Sequence, residues 1–215
     1  MAKTSDPMPR FRPALYHLFA SIVHAGLTIL WRVRIEGLDN VPAEGAVLLC
    51  INHISSMDPP AVGAVVRADV RRATHFMAKQ ELFSYLGWLL PMIGAFPVKR
   101  DIRDASAVRQ TLRLLRAGRV VGLFPEGHRQ RHGRLGEPRA GSGSLISHAG
   151  CAVVPVAVRG SWRLFGRIEM RFGKPLDLSQ SSDPAGDVMR AIGRLYYRPE
   201  QLGQGLPWAP WAEPD

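Results

Sequence analysis

Cysteine is nearly absent from this 215-residue chain: Cys50 and Cys151 are the only two, and both sit inside apolar runs. That excludes a disulfide framework and a cysteine-rich zinc pattern. Several familiar site signatures are missing as well. His128 and His132 stand four apart but belong to no H-E-x-x-H and have no third ligand, so no metal site is expected. Gly141-Ser142-Gly143-Ser144 lacks the third glycine of a dinucleotide loop, and the chain has neither a Walker lysine nor a G-x-S-x-G turn. Acidic residues are few, 18 against 28 basic ones, of which 24 are arginine; the formal charge is +10. What is abundant is apolar: 46% of residues are hydrophobic, with 8 Phe, 4 Tyr and 5 Trp. A disordered chain is thereby excluded, and the length suits one domain with a true core. The arginine excess calls for an anionic partner, whether nucleic acid, an acidic membrane leaflet or a phosphorylated substrate, and composition alone does not choose among the three. Nucleic acid is not expected, because no concentrated basic-aromatic stripe is present.

Charge is also missing locally. Residues 1–12 form a basic leader, and from Pro13 to Trp31 there is no Asp, Glu, Lys or Arg. As a helix this stretch measures about 28 Å, close to the hydrocarbon thickness of a bilayer. Its polar side chains, His17, Ser21, His24 and Thr28, are spaced by 4, 3 and 4 and share one narrow stripe. Arg10, Arg12, Arg32 and Arg34 bracket it, as snorkelling residues do at a membrane boundary. No small-x-small cleavage site follows, which disfavours a signal peptide. The reading is a membrane-associating helix, spanning the bilayer or lying in the interface; the plainer alternative is a buried helix.

Beyond it the pattern is α/β. Arg32–Gly37 alternates like a strand, Gly45–Ile51, Val120–Phe124 and Ala152–Val158 are short apolar runs suited to buried strands, and Ile168–Phe172 is another expected strand. Helices are expected from Pro59 to Asp69, from Ala105 to Ala117 with Gly118 ending it, from Ser142 to Ala149 and from Pro184 to Tyr197. Such alternation implies a central, mostly parallel sheet flanked by helices. The organisation expected is a leader and helix over 1–31, an α/β domain over 32–200 and a Pro/Trp-rich tail over 201–215, where Trp208 and Trp211 can touch lipid. Leu82–Phe96 is a long, mainly apolar stretch and reads equally as core or as a lipid-docking surface.

Three stretches can carry chemistry. Asn52-His53-Ile54-Ser55-Ser56-Met57-Asp58-Pro59 follows a buried strand, which puts His53 at a strand's carboxyl end, where α/β sheets collect ligands. In an extended chain His53 and Asp58 would stand roughly 16 Å apart. A turn over Ser55–Met57 folds Asp58 back, where it fixes the imidazole tautomer and leaves the other ring nitrogen as a base. The alternative is that Asp58 only caps the helix opening at Pro59. Phe124-Pro125-Glu126-Gly127-His128-Arg129 follows another buried strand and opens at the same edge, with Glu126 and Arg129 offering polar groups around a turn at Gly127. Gly94–Arg100 is an apolar strand that ends in Lys99 and Arg100. Cations beside a His/Asp pair suit a phosphate-bearing substrate.

Together these stretches resemble the glycerolipid acyltransferase family that includes the 1-acyl-glycerol-3-phosphate acyltransferases, marked by N-H-x4-D-P, G-x-x-F-x-x-R, F-P-E-G-T-R and V-P-V. The chain carries Asn52, His53, Asp58 and Pro59; Gly94 and Arg100, with Phe96 displaced by one; Phe124 to Gly127 and Arg129; and Val154-Pro155-Val156. Ile35 to Pro42 looks like the family's lead-in, and the resemblance covers roughly residues 31–175. It implies acyl transfer from an acyl-CoA or acyl carrier protein thioester to a lysophospholipid hydroxyl, without a further cofactor. It also implies a bilayer partner and an active site on the cytoplasmic face. On that pattern His53 is the general base and Asp58 its orienting partner. Arg100, Arg129 and Lys99 hold the acceptor phosphate, and Glu126, Gly127 and His128 shape the site, with Arg139 a weaker phosphate ligand. An oxyanion donor is expected among the backbone N–H groups near Asp58. His128 and Gln130 depart from the family's Thr and Ser, which leaves another acceptor head group open.

Overall fold

The computed structural model describes residues 8, 10–99, 104–130 and 134–197. Seven strands form one sheet: β1 (Arg32–Glu36), β2 (Val47–Ile51), β3 (Thr74–Lys79), β4 (Ala95–Val98), β5 (Val120–Leu123), β6 (Ala152–Gly160) and β7 (Arg167–Phe172), in the order β1-β7-β6-β2-β5-β3-β4. Every neighbouring pair is parallel except β6–β7. Among the described residues the α-helices are α1 (Pro13–Leu30), α2 (Asp58–Val70), α3 (Leu82–Leu86), α4 (Ala105–Arg116), α5 (Ala140–Ser147) and α6 (Pro184–Tyr196). The expected α/β class is therefore the observed one.

Strand alternation divides the core into two layers. Leu48, Cys50, Val121, Leu123, Val153 and Ala157 face one way and pack with Leu114 and Leu115 of α4, Leu145 of α5 and Ile192 of α6. Val47, Leu49, Ile51, Val154, Val156 and Val158 face the other way, against Val62 and Val65 of α2 and Tyr16, Ala20 and Leu27 of α1. Such strands, buried on both faces, read as continuous apolar runs. In register, Cys50 of β2 pairs with Leu123 of β5, so the two strands end side by side.

The N-terminal helix is long and apolar enough to cross a membrane by length and composition. One of its faces is nevertheless packed on the domain: the Tyr16 hydroxyl donates to the Gly63 carbonyl of α2 (3.1 Å) and accepts from the Thr74 amide of β3 (3.0 Å). Its outer face leaves Leu18, Ile22 and Ile29 exposed. The apolar run 82–96 splits between the two readings. Its first part is outward, with Tyr85 82% and Trp88 67% exposed, whereas Phe96 in β4 is buried. Arg100 and the tail with Trp208 and Trp211 lie outside the described residues.

Candidate active site

The loop after β2 and the start of α2 bring two side chains together across five positions. His53 Nδ1 and Asp58 Oδ2 are 3.0 Å apart, both side chains all but fully buried. The same Oδ2 accepts the amides of Ile54 (2.8 Å) and Ser55 (2.7 Å), so the carboxylate itself winds the turn. Asp58 is the first residue of α2 and Met57 its cap position, where no side chain caps. The alternative, in which Asp58 only caps the helix, does not hold: its acceptor capacity is turned back onto the loop. Because Asp58 only accepts when ionised, Nδ1 carries the imidazole proton and Nε2 keeps its lone pair. Asp58 Oδ1 is held by the indole N–H of Trp162, from the loop after β6 (3.0 Å). Sequence reasoning missed Trp162, since nothing links it to a carboxylate 104 positions earlier.

The turn after β5 clamps the same loop from below. Glu126 is fully buried; Oε2 accepts the His53 amide (2.8 Å) and Oε1 the Gly136 amide (2.7 Å). Burial pushes its carboxyl up to about 7, against the pull of those two amides, and the nearby Asp58 charge adds to the rise. Gly127 has φ +70°, and a Cβ there would lie 2.5 Å from the Arg139 side chain, so glycine is required both for the turn and for the passage of Arg139. Phe124 stacks on the His53 ring at 4.1 Å between centroids and on Phe76 at 6.0 Å. Gly122 makes that stack possible, because a Cβ there would stand 2.0 Å from the Phe76 ring. Asn52 is fully buried and ties the loop to β6: its amide donates to the Val158 carbonyl (2.9 Å) and its oxygen accepts the Val158 amide (2.7 Å).

His53 lines a cavity of about 530 Å³. Arg129 and Lys79 stand on its wall with the imidazole; the remainder is mostly apolar, including Phe19 and Ala20 from α1, Gly63 and Ala64 from α2, and Leu90 and Ile93. Lys79 at the end of β3 escaped sequence reasoning because Thr74–Lys79 carries His and Thr and does not read as an apolar run. Lys99 is exposed beyond β4, off the cavity wall, and its amide donates to Asp104. His128 is exposed and its Nε2 accepts from the Gln130 side chain (3.1 Å), so the two departures from the family pattern touch each other. The Gln130 amide in turn donates to the His53 carbonyl (2.7 Å). The amides expected to serve an oxyanion are otherwise engaged: those of Ile54 and Ser55 by Asp58, that of Met57 by the Ser55 hydroxyl and that of Asp58 by the Ser55 carbonyl.

Comparison with known proteins points the same way. The chloroplast 1-acyl-sn-glycerol-3-phosphate acyltransferase LPAT1 of Arabidopsis thaliana is 30% identical over 156 residues, 69% of this chain and 42% of that protein. The 1-acyl-sn-glycerol-3-phosphate acyltransferase of Bacillus subtilis is 29% identical over 170 residues, 75% of this chain and 82% of that protein. The chain spans less than half the length of the chloroplast relatives it matches. In fold it is similar to the crystal structure of the LPA acyltransferase PlsC from Thermotoga maritima, with TM-score 0.69, 24% identity, and 84% of this chain and 78% of that one covered. A family profile described as Acyltransferase matches residues 32–159, the stretch that holds the His53–Asp58 pair, the Glu126 clamp and β1 to β6. By that match the chain belongs to the Acyltransferase family.

Proposed function

We propose that the protein moves a fatty acyl group from an acyl-CoA or acyl carrier protein thioester to the free hydroxyl of 1-acyl-glycerol-3-phosphate, giving phosphatidic acid. The observation that carries this reading is the His53–Asp58 contact of 3.0 Å at the wall of a long apolar cavity shared with Arg129. His53 Nε2 takes the hydroxyl proton while the oxygen attacks the thioester carbonyl carbon. The tetrahedral adduct collapses, the C–S bond breaks, and the imidazolium returns its proton to the leaving thiolate. Asp58 holds the tautomer and offsets the imidazolium charge. A thioester is already activated, so no enzyme nucleophile is required. Arg129 binds the acceptor phosphate, together with Arg100, and His128 with Gln130 borders that side; Lys99, off the cavity wall, is left out of this role. Lys79, on the cavity wall, adds a further cation.

The acyl chain occupies the apolar part of the cavity, and α1 serves as its wall. The protein works at a bilayer surface on the cytoplasmic side, where its thioester donors are found. Support for the surface comes from the exposed apolar residues Leu18, Ile22 and Ile29 of α1, with Leu82, Tyr85 and Trp88 near the cavity and Leu164 and Phe165 at the β6–β7 hairpin. That hairpin abuts the end of α1, where the Phe165 amide donates to the Leu30 carbonyl (2.8 Å). The test is thiol release from acyl-CoA and from acyl-loaded carrier protein, measured against a panel of lysophosphatidate, other lysophospholipids and glycerol-3-phosphate. Release stimulated by lysophosphatidate above the others is expected. Preference for a different acceptor would correct the head group and implicate His128; release by none would refute the reading.

A further inference from the structure

The polar stripe of α1 has no part in the reaction, and it borders a groove shared with α2. A second cavity, of about 300 Å³, runs between α1 and α2, lined by Ser21, His24 and Thr28 from the stripe and by Arg67 from α2. Small residues, Ala20, Ala25, Ala64 and Ala68, let the two helices approach while leaving this space unfilled between them. Arg67 is half-buried, and its Nε donates to His17 Nδ1 (3.0 Å), which orients the guanidinium and leaves its two terminal nitrogens for another acceptor. Among the described residues Arg67 makes no ion pair, and no carboxylate lines the groove. The Thr28 hydroxyl donates to backbone carbonyls of its own helix, so the Ser21 hydroxyl is the neutral donor left to the groove.

One permanent cation, imidazole and hydroxyl, without an acid, is a set that recognises an anionic oxygen cluster. The exposed residues Leu18, Ile22 and Ile29 each follow a stripe residue by one position, which makes an apolar edge about 100° around α1 from the groove. An occupant there has its charged group in the groove and its hydrocarbon along that edge. We propose that the groove between α1 and α2 binds the phosphodiester head group of an anionic phospholipid, with Arg67 as its charged ligand. Ala20 and Ala64 line both this groove and the larger cavity, so a lipid bound here braces the helix pair that walls the acyl site. The bracing role rests on the proposed acyl transfer; the binding itself does not.

The experiment is vesicle titration of the full chain with no acyl donor present, so its outcome is independent of catalysis. Phosphatidylcholine vesicles are compared with vesicles containing roughly one-fifth phosphatidylglycerol, a lipid whose negative charge is its phosphodiester. Arg67→Gln is expected to weaken binding to the anionic vesicles about tenfold or more, as for a lost charge-assisted contact, and to leave phosphatidylcholine binding unchanged. The control Arg113→Gln removes an exposed cation from α4, on the opposite face of the sheet, and is expected to cost less than about threefold. His24→Ala leaves the Arg67–His17 contact intact and weakens binding in the same direction, which covers any folding defect of Arg67→Gln. Equal losses in Arg67→Gln and Arg113→Gln would overturn the proposal, because attraction would then be spread over the whole basic surface. Displacement of the lipid by millimolar inorganic phosphate would also overturn it, making free phosphate the occupant.

Discussion

Trp162→Phe isolates one hydrogen bond of the buried pair. The substitution keeps an aromatic ring against Trp31, whose centroid is 5.8 Å away, and removes the N–H that reaches Asp58 Oδ1 at 3.0 Å together with part of the indole's packing. That oxygen is then a charged acceptor inside a side chain with no exposure to water. A hydrogen bond to a charged group contributes about 1.5–3 kcal/mol. Stability is therefore expected to fall by about 2 kcal/mol in denaturant titration. The three donors on Oδ2 remain, so Asp58 stays in place but loses the contact that fixes its rotation about the His53 Nδ1 bond. In thiol-release kinetics kcat should fall roughly tenfold, one decade for each ~1.4 kcal/mol, with the acceptor KM little changed. The decisive comparison is a double-mutant cycle with Asp58→Asn. Once the carboxylate is gone, Trp162→Phe should cost distinctly less than it does alone, with a coupling of about 1–2 kcal/mol. An undiminished cost in the Asn background, or an unchanged kcat with stability lowered, would show that Trp162 packs the loop and does not serve the pair.

Two further outcomes follow from the buried clamp and the exposed face. Glu126 has its carboxyl raised to about 7 from an ordinary 4.5, so the native state holds that proton more tightly than the unfolded chain does. Its contribution to stability is full below about 4.5 and is lost as pH rises to about 7, roughly 3 kcal/mol in all. Thermal unfolding of Glu126→Gln across that window should show a flatter dependence than wild type, and a parallel one would contradict the assignment. Trp88→Asp, at a residue 67% exposed, should weaken vesicle binding severalfold while shifting stability by no more than about 0.5 kcal/mol. A large loss of stability with binding intact would return residues 82–96 to the core.

The central strands were legible because their physics is one-dimensional: Val47–Ile51 and Val120–Leu123 are covered on both faces and so read as unbroken apolar runs. Strand β3 was not, because Thr74 and His75 are buried polar residues whose environment comes from α1 and Phe11, far off in sequence. The His53–Asp58 pair was within reach, since five residues and an Asp-Pro-Pro turn define a local geometry. Its third partner, Trp162, was beyond it for want of any local signal. Composition also cannot separate an apolar helix that spans a bilayer from one that packs by one face. For α1 the difference is made by the Tyr16 hydroxyl meeting Gly63 and Thr74, and by alanines on α2 that admit close approach.

The most direct test is turnover of His53→Ala, assayed as thiol release from acyl-CoA with saturating lysophosphatidate. The imidazole stacks on Phe124 and lines the cavity, so its loss leaves the thioester site open while removing the base. A fall in kcat of about 10²–10⁴-fold is predicted, with vesicle binding retained. Turnover within about threefold of wild type would mean that the proton leaves the hydroxyl by some other route, and the account of this site would be wrong.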